Sequence, residues 1–219
     1  ETGWDHETMR LLESMGHSHC AYANGVAHAI ARGNAMLTAT GNLADREKFI
    51  GQSIKSVTIH EVGHTLGLRH NFKASTWKSM DEIMKTKDEN VPLSASVMDY
   101  NPSMFALEPD DQPVYLTTVI GPYDYWAIEY GYRLTDEDNT DEAEMLKKIA
   151  ARSTEHGHAY ATDEDTTSLS PDPLVNRFDN GSDPLDYTRQ RLAMAHKLLG
   201  NIEEWAVEDG ESYNRLRKA

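Results

Sequence analysis

What the chain has least of narrows its class first. It holds one cysteine in 219 residues, so no intrachain disulfide framework can staple it. No apolar run approaches the roughly 18 residues that a membrane-spanning helix requires, so no membrane span is expected. No basic stretch followed by an apolar one opens it, so any export signal is expected to have been removed or never to have belonged to it. Bases are few: 21 Lys and Arg stand against 36 Asp and Glu, for a net charge of −15. That balance argues against nucleic acid as a partner, because phosphate binding needs clustered cations. Hydrophobic residues make up 39% and the mean hydropathy is −0.63. So polar a chain is expected to carry long surface loops, or surfaces that meet other domains of a longer precursor. Internal repeats and low-complexity tracts are absent. The length suits one domain, or one domain with an appendage.

Helical signals dominate what is there. Tyr22, Val26 and Ile30 recur at helical spacing among alanines, with Gly16, Gly25 and Gly33 as weak points. After a break at Thr40-Gly41-Asn42, Asn42 is expected to cap a second helix with Asp45 and Glu47 in its first turn. Ile50, Ile54 and Val57 predict its buried stripe, and Gly67 its end. Residues 71–112 read as irregular. Pro113 to Ile120, rich in β-branched residues, is the best strand candidate, closed by Gly121-Pro122. An aromatic helix follows from Tyr123 to Tyr130, then an acidic turn over 136–145, a helix from Glu142 to Arg152, a loop over 153–185 and a last helix from Pro184, broken at Gly200.

Residues 60–70 read His-Glu-Val-Gly-His-Thr-Leu-Gly-Leu-Arg-His. Two histidines four apart on a helix share a face, so His60 and His64 can point at one ion with Glu61 beside them. Gly67 can take a left-handed conformation and turn the chain back, which lets His70 supply a third nitrogen from outside the helix. Three neutral imidazoles with one open position suit a catalytic zinc ion, Zn2+, rather than a closed structural one. Even with ten histidines in the chain, five fixed positions match by accident in on the order of one chain in ten thousand.

This pattern is the zinc signature of the metzincin metallopeptidases, which the chain resembles. Ser96-Val97-Met98-Asp99-Tyr100 is similar to the methionine turn of the astacin and serralysin branches. The resemblance implies that Met98 floors the site and that Tyr100 helps stabilise an oxyanion. Asp124-Tyr125-Trp126-Ala127-Ile128-Glu129-Tyr130-Gly131 resembles the helix that follows that turn. Together these segments look like the metzincin-like domain of large bacterial zinc-dependent metalloproteases, a domain formerly of unknown function. The specific likeness covers residues 45–132.

The fold so implied is α+β and predominantly α. It divides into helices ending in the zinc motif (1–70), a methionine-turn subdomain (71–132) and a helical C-terminal extension (133–219). The metzincin sheet, whose edge strand pairs with substrate, is expected to be reduced or missing here, because the residues before His60 read as helices. The chain is accordingly read as a fragment of a longer protein. The implied function is zinc-dependent hydrolysis of peptide bonds in a peptide or protein substrate, with Glu61 as general base to a zinc-activated water. The alternatives are a silent zinc-stabilised binding or scaffold module and a zinc hydrolase of non-peptide amides. Family resemblance also implies a secreted or periplasmic location. Oligomeric state is not legible.

Each histidine should donate its second ring N–H to an acceptor, and Asp99 and Asp124 are candidates. Weaker clusters remain. His17-Ser18-His19-Cys20 is read as an ordinary helix surface with one buried thiol, and His156-Gly157-His158 as a solvated loop. The acids Asp163, Glu164 and Asp165, and the run Asp179-Asn180-Gly181-Ser182-Asp183, have the composition of calcium loops without EF-hand spacing, so calcium binding stays open. Tyr123, Tyr125, Trp126, Tyr130 and Tyr132 are expected to pack into a core rather than line a cleft.

Overall fold

The computed structural model describes residues 22, 33, 36–38, 40, 42–134, 141–167 and 169–200. Among them are the α-helices α1 (Arg46–Thr65), α2 (Met80–Lys85), α3 (Pro122–Tyr132), α4 (Glu142–Ala150) and α5 (Pro184–Gly200). Short 3-10 turns lie at Leu43–Asp45, Ala74–Trp77, Pro109–Asp111, Ala151–Thr154 and Asp163–Thr166. No strand occurs among the described residues, so the fold is predominantly α. The expected helix through Val26 and Ile30 and the His17–Cys20 cluster lie outside the described residues.

Local chemistry starts and stops these helices. The Ser79 hydroxyl accepts from the Glu82 amide at 3.3 Å, and the Glu82 carboxylate accepts from the Ser79 amide at 2.8 Å, a reciprocal cap that opens α2. Pro122 sits in the first turn of α3, where its missing N–H costs nothing. The Asp141 side chain accepts from the Ala143 amide at 3.0 Å and starts α4. Asn42 does not cap α1 as expected: its side chain makes no capping bond, and a 3-10 turn intervenes. The Asn42 carbonyl instead accepts from the Asp45 amide at 2.9 Å.

Two sequence expectations need correction. The buried face of α1 does not include Ile54, which is 59% exposed, and Ile50 and Val57 are only partly buried against the apolar clusters. That face is Phe49, Gln52, Ser53, Ser56, His60 and Gly63, a mostly polar stripe at helical spacing. Burial is tolerated because the polar atoms are bonded: Ser53 Oγ donates to the Phe49 carbonyl at 2.8 Å, and Tyr22 Oη lies 2.9 Å from Ser56 Oγ. Nor is Pro113 to Ile120 a strand. Its β-branched residues reach the core, where Val114, Tyr115 and Leu116 are buried, but no neighbouring strand pairs with it among the described residues. The amides of Tyr115 and Leu116 donate instead to Gln52 Oε1, at 2.9 and 3.3 Å. The Val114 amide donates to the Thr86 carbonyl, and the Tyr115 carbonyl accepts from Met104.

Three apolar clusters support the frame. Tyr22, Phe72, Tyr100, Ala161 and Val175 pack below the end of α1. Leu37, Phe49, Phe105, Tyr115, Leu116 and Met194 tie α1 to α5. Ile83, Leu93, Met104, Val114 and Tyr187 tie α2 to α5. The aromatic helix α3 is only half absorbed. Tyr123 stacks on Tyr160 and Trp126 on His158, but Tyr125, Tyr130 and Tyr132 are exposed. His158 is correspondingly buried, not solvated, with Nδ1 2.8 Å from the Arg152 carbonyl; His156 is exposed.

Gln52 thus does the work of a missing strand partner for two buried amides. Gln52→Ala leaves both without an acceptor and is expected to lower unfolding stability by about 2 to 4 kcal/mol, read from urea denaturation of the two proteins side by side.

Candidate metal centre

The end of α1 builds the first part of the site. The Gly67 amide donates to the His64 carbonyl at 3.0 Å and the Leu68 amide to the Gly63 carbonyl at 3.1 Å. Gly67 has φ +84°. This is the Schellman arrangement, and it needs a left-handed residue at Gly67. The reversal brings His70 back over the helix face that carries His60 and His64. Ring centroids are 4.8 Å apart for His60 and His64, 4.7 Å for His64 and His70, and 5.4 Å for His60 and His70. One ring nitrogen from each histidine lies within 4.8 Å of the other two.

Hydrogen bonds decide which nitrogen each ring offers. His60 Nδ1 is 2.7 Å from the Val97 carbonyl, and His64 Nδ1 is 3.0 Å from the Leu68 carbonyl. A carbonyl only accepts, so both Nδ1 atoms carry the proton and donate. His70 Nδ1 donates to Asp163 Oδ2 at 2.8 Å. Burial opposes charge on Asp163, but the bond from His70 and the nearby Arg177 and Arg69 charges hold its carboxyl below the usual range. Each ring therefore has an Nε2 lone pair to offer. His64 Nε2 and His70 Nε2 are 3.1 Å apart, close to the roughly 3.3 Å edge of a tetrahedron with zinc–nitrogen bonds of about 2.0–2.1 Å. The three nitrogens form a donor set that fits zinc. Burial, aided by the neighbouring His64 and His70 and opposed by the Val97 carbonyl, pushes His60 down to about 3. It is therefore a neutral imidazole across the whole ordinary pH range.

Glu61 is half-buried and follows His60 on α1. Tyr100 is buried, with Oη 3.1 Å from His70 Nε2, and its ring stacks on Tyr22 at 5.2 Å. Met98 is fully buried. A Cβ placed on Gly63 would collide with Met98 Sδ, so the absence of a side chain at Gly63 makes room for the methionine between the turns that carry the histidines.

The two aspartates proposed from sequence as histidine partners do other things. Asp124 accepts from Ser96 Oγ at 2.6 Å, from the Val97 amide at 2.9 Å and from the Gly121 amide at 2.8 Å. It holds Val97, the residue whose carbonyl orients His60. Burial raises its pKa and these three bonds oppose the rise. Asp99 accepts from the amides of Ser75 at 2.8 Å and Tyr100 at 2.7 Å. The partner that sequence reasoning missed is Asp163. It lies in an acidic run with nothing local to mark it out. Asn71 was missed as well: its amide donates to the Met98 carbonyl, and its side chain bonds the Ala159 carbonyl and the Ala161 amide. The rest of both acidic runs is largely occupied by the protein itself. Glu164 pairs with Arg69 through both oxygens, Asp165 accepts from the Thr162 amide, and Asp183 from the Leu185 amide.

A helix bearing two of three converging histidines, with a methionine buried against it, defines a zinc-binding, metallopeptidase-like domain of the zincin class. The Met-zincin family matches residues 42–219, and the chain belongs to that family. No curated protein and no solved structure matches it.

Two outcomes follow from this geometry. Asp163→Ala frees the His70 ring and is expected to weaken zinc binding by about 10- to 100-fold, measured by competition with a chromogenic chelator. Gly63→Ala forces Met98 from its seat. It should cost about 1 to 3 kcal/mol of stability, read as a fall in the thermal midpoint of zinc-loaded protein.

Proposed function

We propose that this domain is a metalloendopeptidase that hydrolyses peptide bonds, with Glu61 as general base and Tyr100 as an oxyanion donor. The observation that supports it is the convergence of three imidazoles in their metal-ready tautomer, with Glu61 beside the first and the Tyr100 hydroxyl at the third. A zinc ion held by His60, His64 and His70 supplies a Lewis acid that polarises a carbonyl and acidifies water. The protein's own groups do the rest. Glu61 takes a proton from the attacking water and returns it to the leaving amine. The Tyr100 hydroxyl, its ring fixed between Tyr22 and Phe178, donates to the negative oxygen that develops on the substrate carbonyl. Met98 and the Val97 carbonyl keep the histidine array from shifting as charge moves.

The substrate class is peptide or protein. The resemblance to exported bacterial metalloproteases supports a secreted or periplasmic location, and among the described residues no helix is long and apolar enough to cross a membrane.

Digestion of a diverse peptide mixture by the zinc-loaded chain, read by mass spectrometry, tests this. Cleavage by the wild type should fall about 10²- to 10⁴-fold in Glu61→Ala while bound zinc stays at one equivalent. Zinc bound equally by both proteins with no cleavage by either overturns peptidase activity for this chain and leaves a zinc-held binding module.

A further inference from the structure

One buried polar cluster takes no part in the chemistry above. It lies behind the methionine turn, where Ser75, Asp99, Asn101 and Asp179 meet at 1%, 1%, 3% and 6% exposure. The contacts are mutual. The Ser75 amide donates to Asp99 Oδ2 at 2.8 Å. Asn101 Nδ2 reaches the Asp179 carbonyl at 3.5 Å. The Asp99 carboxylate feels the Asp179 charge. Both Asp179 carboxylate oxygens, Asn101 Oδ1 and Ser75 Oγ are buried without a completed hydrogen bond. Ser75 and Asn176 approach Asp179 closely enough to oppose the rise in its pKa, but burial dominates and pushes it up to about 6.

Three of the four unsatisfied atoms are pure acceptors. The Ser75 hydroxyl and the Asn176 side chain approach the Asp179 carboxylate, but neither completes a hydrogen bond to it. Two carboxylates buried side by side are costly unless a cation accompanies them. Arg177, the nearby arginine, is engaged with Asp163. A hard divalent cation would satisfy all the oxygens at once. The mixture of carboxylate, amide and hydroxyl oxygens, irregular in type and number, suits calcium better than the strict octahedron of magnesium. Phe178, the one non-glycine residue with positive φ among those described, at +64°, immediately precedes Asp179 and turns it inward.

We propose that Ser75, Asp99, Asn101 and Asp179 form a Ca2+ site that fastens the loop around residue 179 to the back of the methionine turn. The site needs no catalytic activity, and its test is independent of the peptidase reading. Zinc-loaded chain is equilibrated with millimolar CaCl2, dialysed into calcium-free buffer and analysed for metals. Thermal midpoints are taken with and without CaCl2 at matched ionic strength, and Tb3+ luminescence sensitised by nearby Tyr100 is titrated. The site predicts one equivalent of calcium beside the zinc, a midpoint that rises with CaCl2 and Tb3+ emission displaced by Ca2+. Asp179→Asn should abolish all three with zinc still bound, and Asn101→Ala should weaken Ca2+ at least about tenfold. If Asp179→Asn does not fold, Ser75→Ala takes its place and is expected to weaken Ca2+ binding. A wild type that holds no calcium and melts identically with and without it overturns the site in favour of a shared proton. Unaltered Ca2+ binding in the folded variants also overturns it.

Discussion

The Asp124 carboxylate accepts from Ser96 Oγ, from the Val97 amide and from the Gly121 amide, and the other parts of the site hang from those three bonds. Gly121 is the N-cap of α3 and Asp124 lies in its first turn, so the bonds to Ser96 and Val97 lock that helix to the methionine turn. Val97, held through its N–H, presents its carbonyl to His60. Ser96, held through its hydroxyl, accepts from the Met98 amide at 3.0 Å and sets Met98 against Gly63. One buried carboxylate therefore determines the orientation of the His60 ring, the seat of the methionine and the docking of a helix. A carboxylate suits this position because it accepts several bonds at once and has no donor of its own to satisfy.

The same economy runs through the molecule. Where a sheet would pair backbone with backbone, this chain pairs backbone with buried side chains. Gln52 serves the amides of Tyr115 and Leu116, Asn71 binds the segment at 159–161, and Asp99 serves Ser75 and Tyr100. These bonds account for a low hydrophobic content coexisting with a rigid site, since irregular segments survive burial only if their polar groups are bonded. They also explain the polar inner face of α1. Serines at Ser53 and Ser56 and the glycine at Gly63 let other segments approach the helix closely, and a stripe of branched apolar residues would hold them off.

How much of this was legible in the sequence depended on distance along the chain. The histidine spacing and Gly67 are local: a helical period places His60 and His64 on one face, and a glycine at the next turn announces the reversal that returns His70. Helices α3, α4 and α5 were legible for the same reason, through proline and acidic residues at their starts. The partner of His70 was not, because Asp163 is one acid among several, and only the folded chain brings it to the imidazole. Pro113 to Ile120 was misread because β-branched residues signal a buried extended segment without revealing whether a strand lies beside it. The stripe on α1 was misread because hydropathy assumes that buried means apolar, and here the buried side chains are small or hydrogen-bonded.

The loop from 159 to 180 shows how far environment, not residue type, sets the behaviour of an acid. Asp163 and Asp179 stand on the same excursion, and both lose water on folding. Asp163 meets the N–H of His70 and the guanidinium of Arg177 at 2.9 Å, and its charge is favoured. Asp179 meets no such charge; burial outweighs its approach to Ser75 and Asn176, and its charge is resisted. Paired, the first acid fixes the His70 ring from outside the helix; buried without a counter-charge, the second carries an electrostatic cost that a proton or a bound cation would relieve. Asp163 bonds His70, and Asp179 is coupled electrostatically to Asp99, the residue before Tyr100.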